Sequence, residues 1–432
     1  MLRAFSFVVL WLALTAEVSG YIFQGLWETP LTTVGTVLFN GLPLIHIYPW
    51  DLMVIVTMAI GLSKHGVRAS CVAPLRRATR VMFMFLAGSW LWGVMRSGSA
   101  YQSVFQLHGF VMQFAVAYML MTTCRSVAHL RTLGKVVVSA ALYRSFVIMV
   151  FWIRVARYLP TPLPSITDHA DSALFGVGIL ILVINALERP SPSATLWAVL
   201  GAIPIGTAIE LNNRRLAWLG IVVGLALVYA LAPKTKRKRR VNVILLVLSP
   251  LLVAYVAFGW GHATGIFTPV GSISSMFGEH QDASSMMRDI ENYNLLQTLR
   301  KNPFLGTGWG HEYVEEVRAF DIASIFPQYR YKPHNSLLGV VAFAGMIGFS
   351  GIWQIIPVVA FLHARVYRIT LVPVARVAAL AGLVVLVLGV LQMWGDLGFD
   401  SLLVNVLMGA SLAVAGRLPA LVDVWPPVAS TT

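Results

Sequence analysis

The chain is poor in charged residues. Aspartate, glutamate, lysine and arginine make up only 12% of its 432 residues, whereas a soluble globular domain carries about 25%. Hydrophobic residues make up 57%, and the mean hydropathy is +0.75. This deficit argues against a soluble protein, and the long apolar runs that accompany it predict an all-α polytopic integral membrane protein. We expect a single membrane domain over residues 1–432.

Cysteines and metal-ligand patterns are also scarce. The two cysteines, Cys71 and Cys124, lie beside basic loops that we place in the cytoplasm, where disulfides are rare. The motif H-E-x-x-H is incomplete at His311-Glu312, because position 315 holds glutamate. No metal-ligand spacing joins the histidines of the later polar segment, which are His262, His280, His311 and His334. We therefore expect neither a metal site nor a cofactor.

Twelve apolar segments predict about twelve transmembrane helices. They cover residues 4–22, 31–63, 79–97, 104–123, 133–153, 172–188, 194–210, 215–232, 241–259, 335–362, 370–392 and 398–416. The second segment is too long for one straight crossing. Because it contains Pro43 and Pro49, we expect a short re-entrant piece followed by a true span.

The net charge of +14 is unevenly distributed along the chain. Basic residues gather in the loops after the second, fourth, eighth and tenth predicted spans, most densely at residues 234–240. Such loops lie in the cytoplasm, so the polar segment 261–334, between predicted helices 9 and 10, becomes a large periplasmic loop with short helices. Binding to acidic lipid headgroups is the alternative for residues 234–240. No basic stripe with stacking aromatics indicates a nucleic-acid partner.

Several basic residues contradict this charge pattern, because they fall on the predicted outer side. They are Arg154, Arg157, Arg214, Arg215, Arg288, Arg300, Lys301, Arg330 and Lys332. Arginines at that surface either extend to lipid headgroups or bind an anionic ligand through their fixed fork of donors. We favour headgroups for Arg154 and Arg157, and an anionic ligand for Arg215 and Arg288.

The polar segment contains one predicted amphipathic helix, over residues 284–301, which Asn302-Pro303 ends. Its apolar side carries Met287, Ile290, Leu295 and Leu299. The glycines at 306, 308 and 310 then permit a tight turn. This turn is no dinucleotide-binding fingerprint, because no strand of a βαβ unit precedes it.

His334 is the candidate for proton transfer. It follows a proline at the outer mouth of the tenth span, beside Lys332. A neutral histidine there accepts a proton from a hydroxyl group, and we expect nearby cations to lower its pKa and favour the neutral form. The alternative is an interfacial or helix-capping histidine without a chemical role.

The residues around His334 carry a family resemblance. His334-Asn335 is followed after nine residues by Gly345-Met346-Ile347-Gly348, a spacing that resembles the signature of the O-antigen ligases and the wider O-antigen ligase/polymerase superfamily. Arg288, with the helix and glycine turn after it, is similar to a second family pattern. Arg215 resembles the family's arginine that opens a helix; Arg214 stands before it, where the family usually has serine, so both arginines are candidates. Recognisable motifs cover roughly residues 200–360.

The resemblance implies a metal-independent, inverting glycosyltransferase of the bacterial inner membrane. Such an enzyme moves a glycan from undecaprenyl diphosphate to a hydroxyl of the lipid A–core oligosaccharide at the periplasmic face. His334 would then be the general base, and the arginines 214, 215 and 288 would bind the diphosphate. Further candidates for the site are Arg330, Tyr331, Lys332 and Asn335.

Three other functions remain open from the sequence. An O-antigen polymerase uses the same donor with a second lipid-linked glycan as acceptor, and a protein O-oligosaccharyltransferase modifies serine or threonine. A transporter or flippase is the non-enzymatic alternative, although no repeated halves are seen. Asp168, Asp396 and Asp400 lie near the outer face in this topology, with no role that the sequence assigns.

Overall fold

A computed structural model describes residues 1–16, 30–41, 47–161, 163, 165–234, 236–262, 265–275, 283–318, 322 and 327–425. The described residues form sixteen α-helices and no strand, so the prediction of an all-α protein is confirmed over this part of the chain. In chain order the helices are α1 Leu2–Ala16, α2 Pro30–Leu38, α3 Pro49–Ser70, α4 Ala73–Met95, α5 Ala100–Thr123, α6 Val127–Arg154, α7 Ala170–Glu188, α8 Pro192–Asn212, α9 Arg215–Leu231, α10 Lys236–Gly259, α11 Thr268–Ser274, α12 Ala283–Lys301, α13 Ser336–Trp353, α14 Ile355–Ile369, α15 Pro373–Gly395 and α16 Leu402–Leu421.

Ten helical stretches of the described chain are long and apolar enough to cross a membrane. Two shorter apolar helices, α1 and α9, coincide with the other two predicted spans. At ~1.5 Å per residue, the 17 residues of α9 reach about 26 Å, slightly less than the roughly 30 Å hydrocarbon core. Residues 17–22 of the first predicted span lie outside the described residues. The polytopic helical class is therefore confirmed, while the total of about twelve spans stays a prediction.

The long second apolar segment is divided into two helices, as predicted. Pro49 begins α3, a position that suits proline because the first helical N–H has no partner within the helix. The carboxylate of Asp51 then accepts a hydrogen bond from the Tyr48 N–H at 2.9 Å, which closes the first turn. Pro43 lies outside the described residues, and the re-entrant course of α2 stays a prediction.

Helix α16 lies at the centre of the bundle. About nine tenths of its apolar window is buried, whereas none of the corresponding window of α10 is. Helix α16 packs on α5, α14 and α15, and α15 packs in turn on α7. The outward side chains of the peripheral helices are apolar, as in Leu246 and Val247 of α10. Apolar residues on an outer surface suit contact with lipid, which agrees with a membrane protein.

The polar segment contains the helices α11 and α12, and α12 occupies the predicted position. It ends at Lys301, before Asn302-Pro303. The predicted apolar side is wrong in part, because only Leu295 of those four residues is buried. The buried side is mostly polar and consists of Glu291, Asn294, Leu295 and Thr298.

Hydrogen bonds to the following loop satisfy this polar side. The Asn294 Oδ1 accepts from the N–H groups of Glu316 and Val317, both at 3.0 Å. The Thr298 Oγ1 accepts from the Val314 N–H at 2.8 Å. Burying polar groups is tolerated only when they are hydrogen-bonded, so the loop and the buried face of α12 depend on each other.

A break in α13 receives the glycine turn. Gly345 has φ +66° and ψ 177°, which interrupts the helix and leaves backbone groups without helical partners. Those groups bond to the turn at 303–310 instead. The bonds run from Thr307 N–H to Ala342 O at 3.2 Å, Gly308 N–H to Phe343 O at 2.8 Å, Met346 N–H to Pro303 O at 2.9 Å, and Ile347 N–H to Phe304 O at 3.1 Å.

The glycines make this backbone-to-backbone contact possible. Gly306, Gly308 and Gly310 all have positive φ values, between 67° and 89°, so the predicted tight turn is confirmed. A Cβ atom on Gly345 would overlap the carbonyl oxygen of Phe304, and one on Gly306 would overlap that of Phe343. The two glycine motifs therefore form one interlocked unit between α12 and α13.

We expect Gly345→Ala to destabilise the fold. A left-handed backbone costs a residue with a Cβ about 1–2 kcal/mol, and overpacking adds about 1–3 kcal/mol. Thermal unfolding of the detergent-solubilised protein should show a lower midpoint. The matched control is Gly134→Ala in α6, where the added Cβ meets open space. Equal midpoints for the two variants would contradict the interlock.

Candidate active site

Packing of α12 against the start of α13 brings His334 to Glu291. The Glu291 Oε2 accepts the His334 backbone N–H at 2.9 Å, and Oε1 lies 3.3 Å from Nδ1 of the ring. The glutamate is only 1% exposed. Because an ionised carboxylate only accepts hydrogen bonds, this contact assigns the proton to Nδ1 and leaves Nε2 as the proton acceptor.

The electrostatic environment makes His334 a stronger base. Burial lowers the pKa of His334, but the hydrogen bond and charge of Glu291, together with the charge of Asp396, raise it by more. Arg288 lowers it slightly, and the net pKa lies above the ordinary value of 6.5. The expectation that neighbouring cations lower this pKa is therefore wrong. The dominant neighbour is a carboxylate, 43 positions earlier in the chain.

Arg288 lies on α12, one turn before Glu291. Its charge acts on His334, on Asp396 and on Arg215, so the side chain stands among all three. Among the described residues, no ion pair joins Arg288 to a carboxylate, and Arg288 is partly buried. This cation is thus held close to the candidate base.

Arg215 begins α9 and reaches α12. Its Nη1 lies 3.2 Å from the Ser285 Oγ, to which it donates a hydrogen bond. Its charge and that of Arg288 repel each other. Two guanidinium groups that are close enough to repel each other favour the binding of an anion between them. The structure thus brings together the three residues on which the sequence hypothesis depends: Arg215, Arg288 and His334.

Arg214 has a different position from its neighbour. Its Nη2 donates to the Ser165 Oγ at 2.7 Å and to the Thr167 carbonyl oxygen at 3.2 Å. The guanidinium therefore holds the segment that leads into α7. Of the two adjacent arginines that the sequence left open, Arg215 is the one that lies beside Arg288.

Asp396, at the end of α15, joins the same group of charges. It is 3% exposed, and its Oδ2 lies 2.9 Å from the His169 Nδ1. Burial raises the pKa of Asp396, but the hydrogen bond and charge of His169 and the charge of Arg288 lower it to about 2. The Asp168 Oδ1 accepts the His169 backbone N–H at 2.6 Å, which orders the start of α7. Sequence reasoning missed both Glu291 and His169.

The other candidates hold the loop around the site. Arg330 pairs with Glu315 at 2.7 Å and with Glu312 at 3.5 Å. Lys332 pairs with Asp400. These cations are therefore engaged by carboxylates of the protein itself.

Tyr331 and Asn335 have local backbone roles. The carbonyl oxygen of Tyr331 accepts a hydrogen bond from the Gln106 Nε2 at 2.8 Å, which ties the loop to α5. Asn335 caps α13, since its Oδ1 accepts the Leu338 N–H at 3.1 Å. Its Nδ2 also donates to the Asn292 Oδ1 at 3.0 Å. This second bond holds Asn335, the residue next to His334, against α12.

A small cavity lies beside this loop, between α5 and α13. Its walls include Pro333, directly before the candidate base, and Ser336, two positions after it. Aromatic rings form much of the remainder, and Lys332 and Asp400 stand at its polar edge. The aromatic side chains are Phe110, Trp309, Tyr331, Phe343 and Phe399. Apolar walls with a few polar groups are typical of small-ligand sites.

Comparison with known proteins supports the motif resemblance. Residues 197–353 match the family model described as O-antigen ligase. Over these residues, about a third of its length, the chain is similar to the O-antigen ligase family. The matched range contains Arg215, Arg288, His334 and the break in α13. No curated protein matches the chain significantly.

The match to the O-antigen ligase family indicates the general activity. The family supports glycosyl transfer of the O-antigen ligase/polymerase type, with a lipid-linked glycan and a lipid acceptor as the broad substrate classes. Together with the apolar helices, it identifies a multi-pass membrane enzyme that transfers glycosyl groups. The O-antigen ligase resemblance seen in the sequence is thus confirmed at the family level.

We expect Glu291→Gln to lower the pKa of His334, because the substitution removes the charge that raises it. The measurement is an NMR titration of protein labelled in its histidine side chains, with the signal assigned by its loss in His334→Gln. Glu316→Gln is the control, since that carboxylate pairs at 2.5 Å with the exposed Lys301. An unchanged His334 pKa in Glu291→Gln would rule out the electrostatic contact.

Proposed function

We propose that the protein transfers a glycan from undecaprenyl diphosphate to a hydroxyl of the lipid A–core oligosaccharide. The transfer takes place at the periplasmic face of the inner membrane, inverts the anomeric centre, and needs neither metal nor nucleotide. The observation that carries this proposal is the convergence of a carboxylate-bound histidine with two neighbouring arginines. The histidine suits activation of an alcohol, and the two arginines suit stabilisation of a phosphate leaving group.

His334 is the general base in this mechanism. Its Nε2 takes the proton of the acceptor hydroxyl while the oxygen attacks the anomeric carbon of the donor sugar. The bond from that carbon to the diphosphate oxygen breaks on the opposite face, so the configuration inverts. Glu291 stabilises the imidazolium that forms and keeps the ring oriented, as a carboxylate does in a catalytic triad.

Arg215 and Arg288 stabilise the leaving group. Negative charge grows on the diphosphate as the glycosidic bond breaks, and donors already fixed at that place lower the barrier. Guanidinium groups suit this role because they donate paired hydrogen bonds to phosphate oxygens. The repulsion between these two arginines is also relieved when a dianion enters. Asp396 balances part of the positive charge from the side of His169.

The charge distribution supports the proposed orientation. The basic run at residues 234–240 precedes the apolar part of α10, and the polar segment 261–334 follows it. If α10 crosses the membrane once, the two lie on opposite faces. Basic loops favour the cytoplasmic face, so residues 261–334 form the periplasmic loop. The undecaprenyl chain of the donor then stays along the lipid-facing helices.

Related transfers share this donor chemistry. A polymerase differs from a ligase in the acceptor, and a protein O-oligosaccharyltransferase differs in the same way, so the contacts of His334 do not separate them. Incubation of the solubilised protein with one defined donor and each acceptor in turn distinguishes them by product. Ligated core supports the proposal, whereas longer lipid-linked chains or glycoprotein assign the alternative. If no acceptor is glycosylated but the protein moves the donor across the membrane of vesicles, the result assigns a flippase.

We expect His334→Gln to lower the transfer rate by about 10²–10⁴-fold, the usual contribution of a general base. Cells that lack their native ligase should then show no capped lipopolysaccharide ladder. The control is His262→Gln, a histidine of the same segment whose ring contacts the Phe258 carbonyl oxygen and the Phe267 ring, away from the candidate site. A normal ladder at a normal level of protein would remove His334 from the mechanism.

We expect Arg288→Ala and Arg215→Ala to lower kcat/KM for the donor by about tenfold or more, since hydrogen bonds to charged groups contribute about 1.5–3 kcal/mol. Transfer is measured over a range of donor concentrations. Arg300→Ala is the matched control on α12, because the side chain of this exposed arginine hydrogen-bonds only Gln297 among the described residues, at 3.4 Å. Unchanged turnover at low donor concentration would instead assign the two arginines to lipid headgroups.

A further inference from the structure

A second group of cations lies at the other end of the same helices. Helix α16 begins next to Asp400 and carries Arg417 on its last turns. The 15 residue steps from Leu402 to Arg417 extend about 22 Å at ~1.5 Å each, so this group is far from His334. We call it the basic cluster. It consists of Arg3 on α1, Lys64 and His65 on α3, Arg125 after α5, His129 on α6 and Arg417 on α16.

Arginines of the basic cluster donate to imidazole rings. Arg125 Nη1 lies 2.7 Å from the His65 Nδ1, and its backbone N–H donates to the His129 Nδ1 at 3.1 Å. Arg3 lies against the other ring nitrogen of His129, but a neutral imidazole accepts at one nitrogen only, so His129 accepts from either Arg3 or Arg125. A ring nitrogen that accepts from a cation belongs to a neutral histidine. The bond to His65 therefore orients the Arg125 guanidinium without neutralising it.

The charges of the cluster are close enough to act on one another. Arg125, Lys64 and Arg417 all act on His65, and Arg125 also acts on Arg417. In the described part of the chain, every ion pair with a carboxylate lies elsewhere. The Nε of Arg417 is buried without a hydrogen-bond partner, while its Nη1 donates to the Ala69 carbonyl oxygen at 2.6 Å.

Like charges gathered in this way repel one another, and an anion that binds among them removes the repulsion. Guanidinium groups match phosphate oxygens in geometry, and an ammonium group adds a point charge. The topological preference for basic loops explains cations on this face. It does not explain why cations of three separate helices and a loop converge on one place.

The surface next to the cluster is apolar. Helix α3 exposes Ile55, Val56 and Ile60 on the side that leads away from His65, and α1 exposes Phe5 and Val8 beyond Arg3. A ligand with an anionic head and hydrocarbon chains satisfies both surfaces at once. We propose that the basic cluster binds the headgroup phosphate of an acidic phospholipid, with the acyl chains along α1 and α3. Under the proposed orientation, this is a lipid of the cytoplasmic leaflet.

The test compares lipid binding by two charge-matched double variants of the full-length protein. In Lys64→Gln/Arg125→Gln, two exposed cations of the cluster are neutral. In Arg239→Gln/Arg240→Gln, two exposed cations of the basic run before α10 are neutral instead. The thermal unfolding midpoint of the solubilised protein is measured against added phosphatidylglycerol, phosphatidylcholine or inorganic phosphate.

We expect phosphatidylglycerol to raise the midpoint of the wild type, with an affinity that falls about fivefold for each cluster charge removed. The control double variant should keep nearly all of the wild-type affinity. Equal losses in both double variants would overturn the site in favour of general surface attraction. Equal protection by phosphatidylcholine would exclude a charge-specific site, and equal protection by inorganic phosphate would assign it to a soluble anion.

Discussion

The backbone contact between the turn at 303–310 and the break in α13 determines where the rest of the candidate site lies. A break in a buried helix leaves N–H and C=O groups that must find partners, and here the glycine turn supplies them. Because the turn follows α12 directly, the contact fixes α12 against α13 and so places Glu291 beside His334. The glycine motifs of the family resemblance therefore act through backbone geometry. They position the proposed catalytic residues and do not take part in the reaction themselves.

Polar burial on α12 is the second constraint. Glu291, Asn294 and Thr298 face the protein interior, where each costs free energy unless it is paired. The loop at 311–317 pairs the last two, and His334 pairs the first. The hydrogen bonds that offset the burial of these polar groups are thus the same bonds that shape the candidate active site. A substitution that removes one of them therefore affects both the stability of α12 and the geometry of the site.

Local signals predicted much of this arrangement. Apolar runs placed the helices, proline and glycine placed their ends and the turn, and motif spacing singled out Arg215, Arg288 and His334. The direction of the His334 pKa shift was predicted wrongly, because Lys332 beside it in sequence pairs instead with Asp400, 68 positions away. Glu291 and His169 carry no sequence signal, since their partners come from other helices. Arg214 is an extended residue before α9 and Arg215 is the first residue of that helix, and only packing decides which of the two faces the site.

The two ends of the bundle hold positive charge for different tasks. At the candidate active site, the buried carboxylates Glu291 and Asp396 stand among the cations, and they raise the pKa of His334. A binding site for an anion gains nothing from such acids, because they repel the ligand. A site that must also take up a proton does benefit from such acids. They make the histidine a stronger base, and a stronger base removes the proton of the acceptor hydroxyl more readily. At the basic cluster the described residues provide cations and neutral imidazoles, an arrangement that suits binding alone. The presence of acids among arginines is therefore the feature that separates the proposed catalytic end from the proposed lipid-binding end.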